Sequence, residues 1–404
     1  MKEFRVGIIG AGAISHRHMK IYTNIPAMKI VAVAEIDKAR LDQWSQQYDI
    51  KDTYTDFREM LKRDDIDVID VCVHNNLHAP IAIAVMKAGK ACYLEKPMSA
   101  SYADSKLVYD CWKKTNVKFA NQISSLFSGQ TKIGRKLIED GVLGDIYHTK
   151  VASAFYRRRP SIDFIRHTPD FVSKKIAGHG QIIDLGIYDF GQMLFLLGLP
   201  QLKSVYGKIY HKMDSPIKGR VIEVEDMGVG LAEFPGITME LMQSGATNME
   251  KVGHSYITGT KGALEIIGAD TFGGEWSMGD ERGLLSPPQQ PKLRFTGEYK
   301  GIHIDCDLKA YENQVLQRTY DPEQMMWFDN QMHWYKYLCG DLSEEDRYNT
   351  PLVGLNVSLL VDGLVLSDQL GRSVTADEIK EKSESMAIWK QDTPWGIFDY
   401  ENTF

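Results

Sequence analysis

Apolar residues over the first 122 positions follow two alternating rhythms. Short, nearly unbroken apolar runs (FRVGIIG, KIVAVAE, DVIDVCV, KACYLEK and VKFANQI) predict five strands buried on both faces. Between them lie segments with helical spacing: about Ala13 to Tyr22, DKARLDQWSQQY, APIAIAVMKAG, and about Tyr102 to Thr115. Strand and helix in alternation predict a parallel sheet covered on both sides, a doubly wound α/β Rossmann domain over residues 1–122.

The rhythm changes after Gln122. TKIGRKLIEDGVLG predicts a helix closed by glycines, and DIYHTKVASAFYRRR a long strand. GHGQIIDLGIYDFGQMLFLLGLP reads as one helix, apolar almost all round and stopped by Gly198 and Pro200. From about Leu202 to Asp307 come several strand-type runs at hairpin-like spacing, which predict a mostly antiparallel sheet. MMWFDNQMHWYKYLCG and GLNVSLLVDGLVLSDQLG return to helix. The expected division is a nucleotide-binding domain at 1–122, an α+β domain at 123–370, and a tail at 371–404 packed on the domains.

Composition narrows the function classes. A formal charge of −7 gives no electrostatic reason to expect nucleic acid or an anionic membrane as partner. No signal-peptide pattern opens the chain, and no apolar run reaches about 18 residues. Five cysteines without a CxxC pair read as reduced thiols of a cytoplasmic protein. His74, Asn75 and His78 are metal-like in composition but lack nearby acids, so no metal site is expected.

The chemistry begins at GIIGAGAIS. Gly10-x-Gly12-x-x-Ser15 follows the first strand and opens the first helix. Gly10 permits a tight turn, and Gly12 lets backbone N–H groups, with Ala13 and Ile14 behind it, approach a pyrophosphate at a helix N-terminus. Ser15 stands where a third glycine is usual. Glu35 ends the second strand at the spacing expected for the acid that binds the adenosine 2′-hydroxyl and repels a 2′-phosphate. Asp37 adds negative field, so NAD is favoured over NADP, although acids are also common at an ordinary helix start. A Rossmann sheet binds its ligand beyond the carboxyl ends of its strands. Asn75 and His78 follow the third predicted strand, Glu95 and Lys96 the fourth, and Asn121 the fifth, so these residues are expected to line the cofactor crevice.

This set resembles the glucose-fructose oxidoreductase and inositol dehydrogenase family of NAD(P)-dependent enzymes. The matching stretches are GIIGAGAIS, NNLH, EKPM (Glu95 to Met98), GVLGDI, DLGIY (Asp184 to Tyr188) and GTKGALEI. The resemblance implies a second domain with a large open sheet, often used to form dimers or tetramers. It implies that Lys96 lies against the cofactor and the reacting hydroxyl. It also implies a second catalytic motif, Asp-x-Gly-x-His, which here reads DLGIY, with Tyr188 in place of histidine and His179 at a usual glycine position. Asp184 and Tyr188 are four apart and would share a face of a continuous helix. A phenol is a poor base at neutral pH, but a neighbouring Lys96 ammonium would favour its phenolate, so Tyr188 is assigned the proton transfer with Lys96 polarising or relaying, and His179 and His167 stay in reserve. A buried structural acid and a core aromatic are the plain alternatives for Asp184 and Tyr188.

Tyr156, Arg158, His167 and His179 suit a polyhydroxylated substrate. The expectation is an NAD-dependent dehydrogenase of a secondary hydroxyl in a sugar, glycoside or polyol, with C3 of a pyranoside as a candidate. The rivals are glycoside cleavage through a transient 3-keto intermediate, and a non-catalytic dinucleotide-sensing regulator.

Overall fold

In the computed structural model, the alternation over the first 122 residues becomes a six-stranded sheet. The structure describes residues 2–156, 169–215, 219, 221–248, 252–267, 292–308, 322–342, 350–393 and 396–400. The strands are β1 (Phe4–Ile9), β2 (Met28–Ala34), β3 (Asp52–Tyr54), β4 (Val68–Val71), β5 (Ala91–Leu94) and β6 (Phe119–Asn121). They run in the order β3-β2-β1-β4-β5-β6, all parallel. Helices α1 (Ala13–Tyr22), α2 (Lys38–Tyr48), α3 (Phe57–Leu61), α4 (Asn75–Lys87) and α5 (Tyr102–Thr115) connect them. The strand order reverses between β1 and β4, which opens the crevice a dinucleotide uses. Two expectations change here. β3 is a sixth strand, and α4 begins at Asn75, ahead of the expected APIAIAVMKAG, so that Asn75 to His78 form its first turn.

The chain divides into two compact units. The first comprises Met1–Gln122, Trp327–Leu355 and Glu384–Phe404, and the second Ile123–Met326 and Asn356–Ser383. Both are discontinuous in sequence, where three consecutive segments are expected. Returning segments are bound tightly into the first unit. Trp334 is 1% exposed and stacks on Tyr93 at 5.5 Å between centroids. The buried Asp104 carboxylate accepts the Met386 and Ala387 N–H groups at 2.8 and 3.0 Å and the Ser385 hydroxyl at 2.5 Å. Pro80 sits inside α4 and has no N–H for the Asn76 carbonyl one turn back. The Ile388 N–H serves that carbonyl instead, at 2.9 Å.

In the second unit, α6 (Gly129–Glu139), α7 (Lys174–Ala177), α8 (Gln181–Asp184) and α9 (Gly186–Leu196) accompany a ten-stranded sheet. Its strands are β7 (Ile146–Tyr156), β8 (Ser204–Tyr210), β9 (Met227–Phe234), β10 (Ile237–Thr247), β11 (Val252–Gly253), β12 (Ser255–Gly259), β13 (Gly262–Ile267), β14 (Lys292–Tyr299), β15 (Ile302–Leu308) and β16 (Val374–Thr375). The order is β15-β14-β13-β12-β7-β10-β9-β8-β16, with β11 beside β7. Pairing is antiparallel among the described strands except between β7 and β10. Gly207 and Gly230 oppose each other across β8 and β9. A Cβ on either would stand 2.7 or 2.5 Å from Leu364 Cδ2, so the bare strands admit the later helix.

The rest of the described chain comprises the helices α10 (Pro322–Cys339), α11 (Thr350–Leu370) and α12 (Ala376–Lys382) and a two-stranded sheet of β17 (Lys390–Thr393) and β18 (Gly396–Asp399). By length and composition α11 could cross a membrane, but 72% of its apolar window is buried inside the fold, as in a core helix.

Candidate active site

The first unit builds a dinucleotide cradle from its glycine turn. Gly10 has φ +97°, and a Cβ there would stand 2.3 Å from the Cys72 carbonyl oxygen at the end of β4. Only glycine allows this close crossing. Gly12 caps α1 in extended backbone, no side chain caps the helix, and nothing lies within 4 Å of an added Cβ. Space and backbone donors at Ala13 and Ile14 therefore fit a pyrophosphate. Ser15 is fully buried, donates to the Gly12 carbonyl at 2.7 Å, and accepts from Trp44 Nε1.

Glu35 ties this turn to the end of β2. Its Oε2 accepts the Ala11 N–H at 2.9 Å and its Oε1 the Asp37 N–H at 3.0 Å. Each oxygen keeps a lone pair for a ribose hydroxyl. Asp37 is the N-cap of α2, accepting from the Ala39 and Arg40 N–H groups. The alternative reading of Asp37, an ordinary helix start, is thus met. Arg40 lies 3.8 Å from Glu35 and 4.0 Å from Asp37.

Behind Lys96 lies a buried charge bridge. His18 of α1 has no exposure; its Nδ1 is 2.8 Å from Asp70 Oδ2, and its Nε2 is 2.9 Å from Glu95 Oε1. Burial alone would lower the His18 pKa, but the charge and hydrogen bond of Asp70, together with Cys72, outweigh it and raise it well above the ordinary value. For Glu95, burial pushes up, but the hydrogen bond and charge of His18, together with the charge and backbone N–H of Lys96, outweigh it and lower the pKa. Glu95 Oε2 accepts the Lys96 N–H at 2.9 Å, and Asn121 Nδ2 donates to the Leu94 and Glu95 carbonyls. Lys96 is half-buried at the end of β5, and its peptide bond to Pro97 is cis. Asn75, 3% exposed, opens the first turn of α4.

His78 does not offer its ring to a ligand. Nδ1 lies 2.6 Å from the Pro97 carbonyl and Nε2 3.1 Å from that of Val73, so the ring pins the Lys96 turn to the β4–α4 turn. Burial outweighs those carbonyls and lowers the His78 pKa, which keeps the ring neutral. Cys72 lies 3.5 Å from both His18 Nδ1 and Asp70 Oδ1, and burial pushes its thiol up to about 12. His18, Asp70 and Cys72 bring metal-ligand types within 4.8 Å, but both His18 nitrogens already face carboxylates. Sequence reasoning missed His18 and Asp70. The available signal was a charged residue inside a strand buried on both faces, which requires a partner.

The second unit carries the DLGIY motif. The expected single helix is broken: α8 ends at Asp184, Leu185 links, and α9 begins at Gly186, so Asp184 and Tyr188 belong to different helical segments. Asp184 is 8% and Tyr188 1% exposed, and Ser125 donates to the Tyr188 carbonyl at 2.7 Å. His179, 4% exposed, reaches Asp362 at 3.2 Å, whose other oxygen accepts the Ser383 hydroxyl. Burial alone would lower the His179 pKa, but Asp362 raises it. Arg158 and His167 lie outside the described residues, and Tyr156 is described by its backbone alone.

Two family models match. Residues 4–122 match "Oxidoreductase family, NAD-binding Rossmann fold", and residues 133–265 match "GFO/IDH/MocA C-terminal domain". The trans-1,2-dihydrobenzene-1,2-diol dehydrogenase of Mus musculus is 27% identical over 75% of this chain and 85% of its own length. The D-glucoside 3-dehydrogenase of Escherichia coli (strain K12) is 28% identical over 52% of this chain; the match spans 58% of that relative's length. A solved structure of levoglucosan dehydrogenase with NADH and L-sorbose covers 93% of this chain and 99% of its own, with TM-score 0.75 at 20% identity. That likeness is one of fold.

Proposed function

Because the chain belongs to the GFO/IDH/MocA oxidoreductase family, with an NAD-binding Rossmann unit, we propose that it oxidises a secondary hydroxyl of a sugar, glycoside or polyol. C3 of a pyranoside is the first carbon to examine, since one relative is a D-glucoside 3-dehydrogenase. The observation that carries the reading is Lys96, held at a strand end by Glu95, which is itself fixed on His18 and Asp70.

NAD, when bound, supplies the hydride acceptor. The turn from Gly10 to Ile14 holds its pyrophosphate, and Glu35 takes the adenosine ribose. Asn75 and Asn121 shape the crevice. The substrate hydroxyl gives its proton either to Tyr188, acting as phenolate while the Lys96 ammonium polarises the oxygen, or to Lys96, acting as neutral amine; Lys96 and Asp184 hold the charge that develops at the oxygen. Tyr156, Arg158, His167 and His179 are substrate-side residues in this reading. The protein acts in the cytoplasm as a homodimer or homotetramer joined through the open sheet, where Tyr206 and its cross-strand partner Leu231 are exposed. Sedimentation before and after Leu231→Glu checks that assembly.

The test is a screen of free sugars and glycosides for NAD reduction, with product regiochemistry by NMR. Lys96→Ala should lower kcat at least about hundredfold and leave the NADH Kd within about threefold. A loss below tenfold removes Lys96 from the chemistry.

A further inference from the structure

Two glutamines of the second unit are buried with amide groups unused. Gln243 on β10 has no exposure, and neither its Nε2 nor its Oε1 has a hydrogen-bond partner. Gln181, the first residue of α8, is 3% exposed, and its Oε1 is likewise buried without a partner. An amide removed from water without replacement bonds destabilises a fold. Such a group is expected where something outside the chain completes it.

Their placement says what that is. Gln243 Cγ lies 3.5 Å from the Cβ position of Gly186, the residue midway between Asp184 and Tyr188. Gln181 Oε1 lies 2.0 Å from the Cβ position of Gly245, so the bare backbone of β10 leaves room for that amide. Both side chains therefore lie where β10 meets α8 and α9, next to the DLGIY motif. An amide both donates and accepts, as a hydroxyl does. A carboxylate or phosphate ligand would need donors alone, which the Gln181 carbonyl oxygen cannot supply.

We infer that Gln181 and Gln243 form a hydroxyl-recognition pair, holding hydroxyls of a polyol that neighbour the carbon oxidised beside Asp184 and Tyr188. This rests on the dehydrogenase reading above. The pair acts on substrate affinity and orientation and has no part in binding NAD.

Three measurements on wild type, Gln181→Leu and Gln243→Leu test it: melting temperature without ligand, NADH Kd, and KM for the best polyol of the screen. A functional amide that costs stability gives a melting temperature raised by about 2–4 °C. KM rises at least about tenfold, because the substrate hydroxyl loses its partner. The NADH Kd stays unchanged. A lowered melting temperature, or a KM within twofold of wild type, overturns the assignment and shows amides completed by internal water. Gln243→Met, closer in shape, replaces leucine if that variant does not fold. Should wild type reduce NAD with no polyol, the dehydrogenase reading fails separately. The ligand-free melting temperatures then still decide whether the two amides are unsatisfied in the folded protein.

Discussion

Replacing His18 with alanine tests whether the network behind Lys96 is a charge bridge. The ring has no exposure and lies 2.8 and 2.9 Å from carboxylate oxygens of Asp70 and Glu95. An imidazole that donates from both nitrogens is protonated. In His18→Ala two buried carboxylates lose the cation between them and keep their desolvation cost. Removing one partner of such a buried bridge costs about 3–5 kcal/mol. Loss of two ordinary hydrogen bonds would cost about 1–3 kcal/mol. Urea melts of both proteins at about pH 6, with unchanged m, separate the two cases.

The pH dependence supplies a second, independent sign. The folded pKa of His18 lies above its ordinary 6.5, so its stabilisation is complete below that pH and is lost as pH rises through the raised value. Glu95 moves oppositely. Its folded pKa lies below the ordinary 4.5, so its contribution is present above that pH and is lost as pH falls through the lowered value. The bridge therefore stabilises most between about pH 4.5 and 6.5, and His18→Ala lacks the alkaline decline of the wild type. A cost of about 1–3 kcal/mol or less, or a variant that keeps the wild-type alkaline slope, refutes the charged bridge.

Glu35→Ala removes the acceptor for Ala11 and the expected ribose partner, and should raise the NAD Kd about tenfold while narrowing the preference over NADP; calorimetry showing an unchanged Kd removes the ribose role. Asp104→Ala strands two half-buried N–H groups of the returning segment and should cost about 1–3 kcal/mol. Limited proteolysis should then cut between residues 384 and 400 sooner than in wild type, and equal rates would show that the clip is dispensable. Gly10→Ala meets the Cys72 carbonyl and a positive φ together. It should abolish NADH binding by fluorescence titration, and retained affinity would show that the turn can shift.

The parts of this fold legible in the sequence are those whose signal is local. α1 was expected at Ala13 to Tyr22 and lies there, because helix period and glycine turn sit in one short stretch. β3 was not seen, since Asp-Thr-Tyr at a sheet edge has no apolar run to betray it. Asp70 hid inside the strand pattern DVIDVCV. Its partner His18 is 52 residues away, and only the strand order brings them together. The break at Leu185 was invisible because residues on both sides of it are equally apolar and buried. His78 read as a ligand contact because its position at a strand end was legible, while the carbonyls that occupy its ring were not.

The discontinuity of the first unit has a consequence for biosynthesis. Its sheet and glycine turn leave the ribosome early, yet Trp334, which stacks on Tyr93, and Ile388, which completes the first turn of α4, follow almost all of the second unit. At ordinary elongation rates this delay is on the order of tens of seconds. The nascent nucleotide lobe must wait for that time with Tyr93 and the Asn76 carbonyl uncovered. Pulse-labelled chains arrested before Trp327 should therefore engage chaperones and fail to retain coenzyme, whereas chains extended past Tyr400 should bind it.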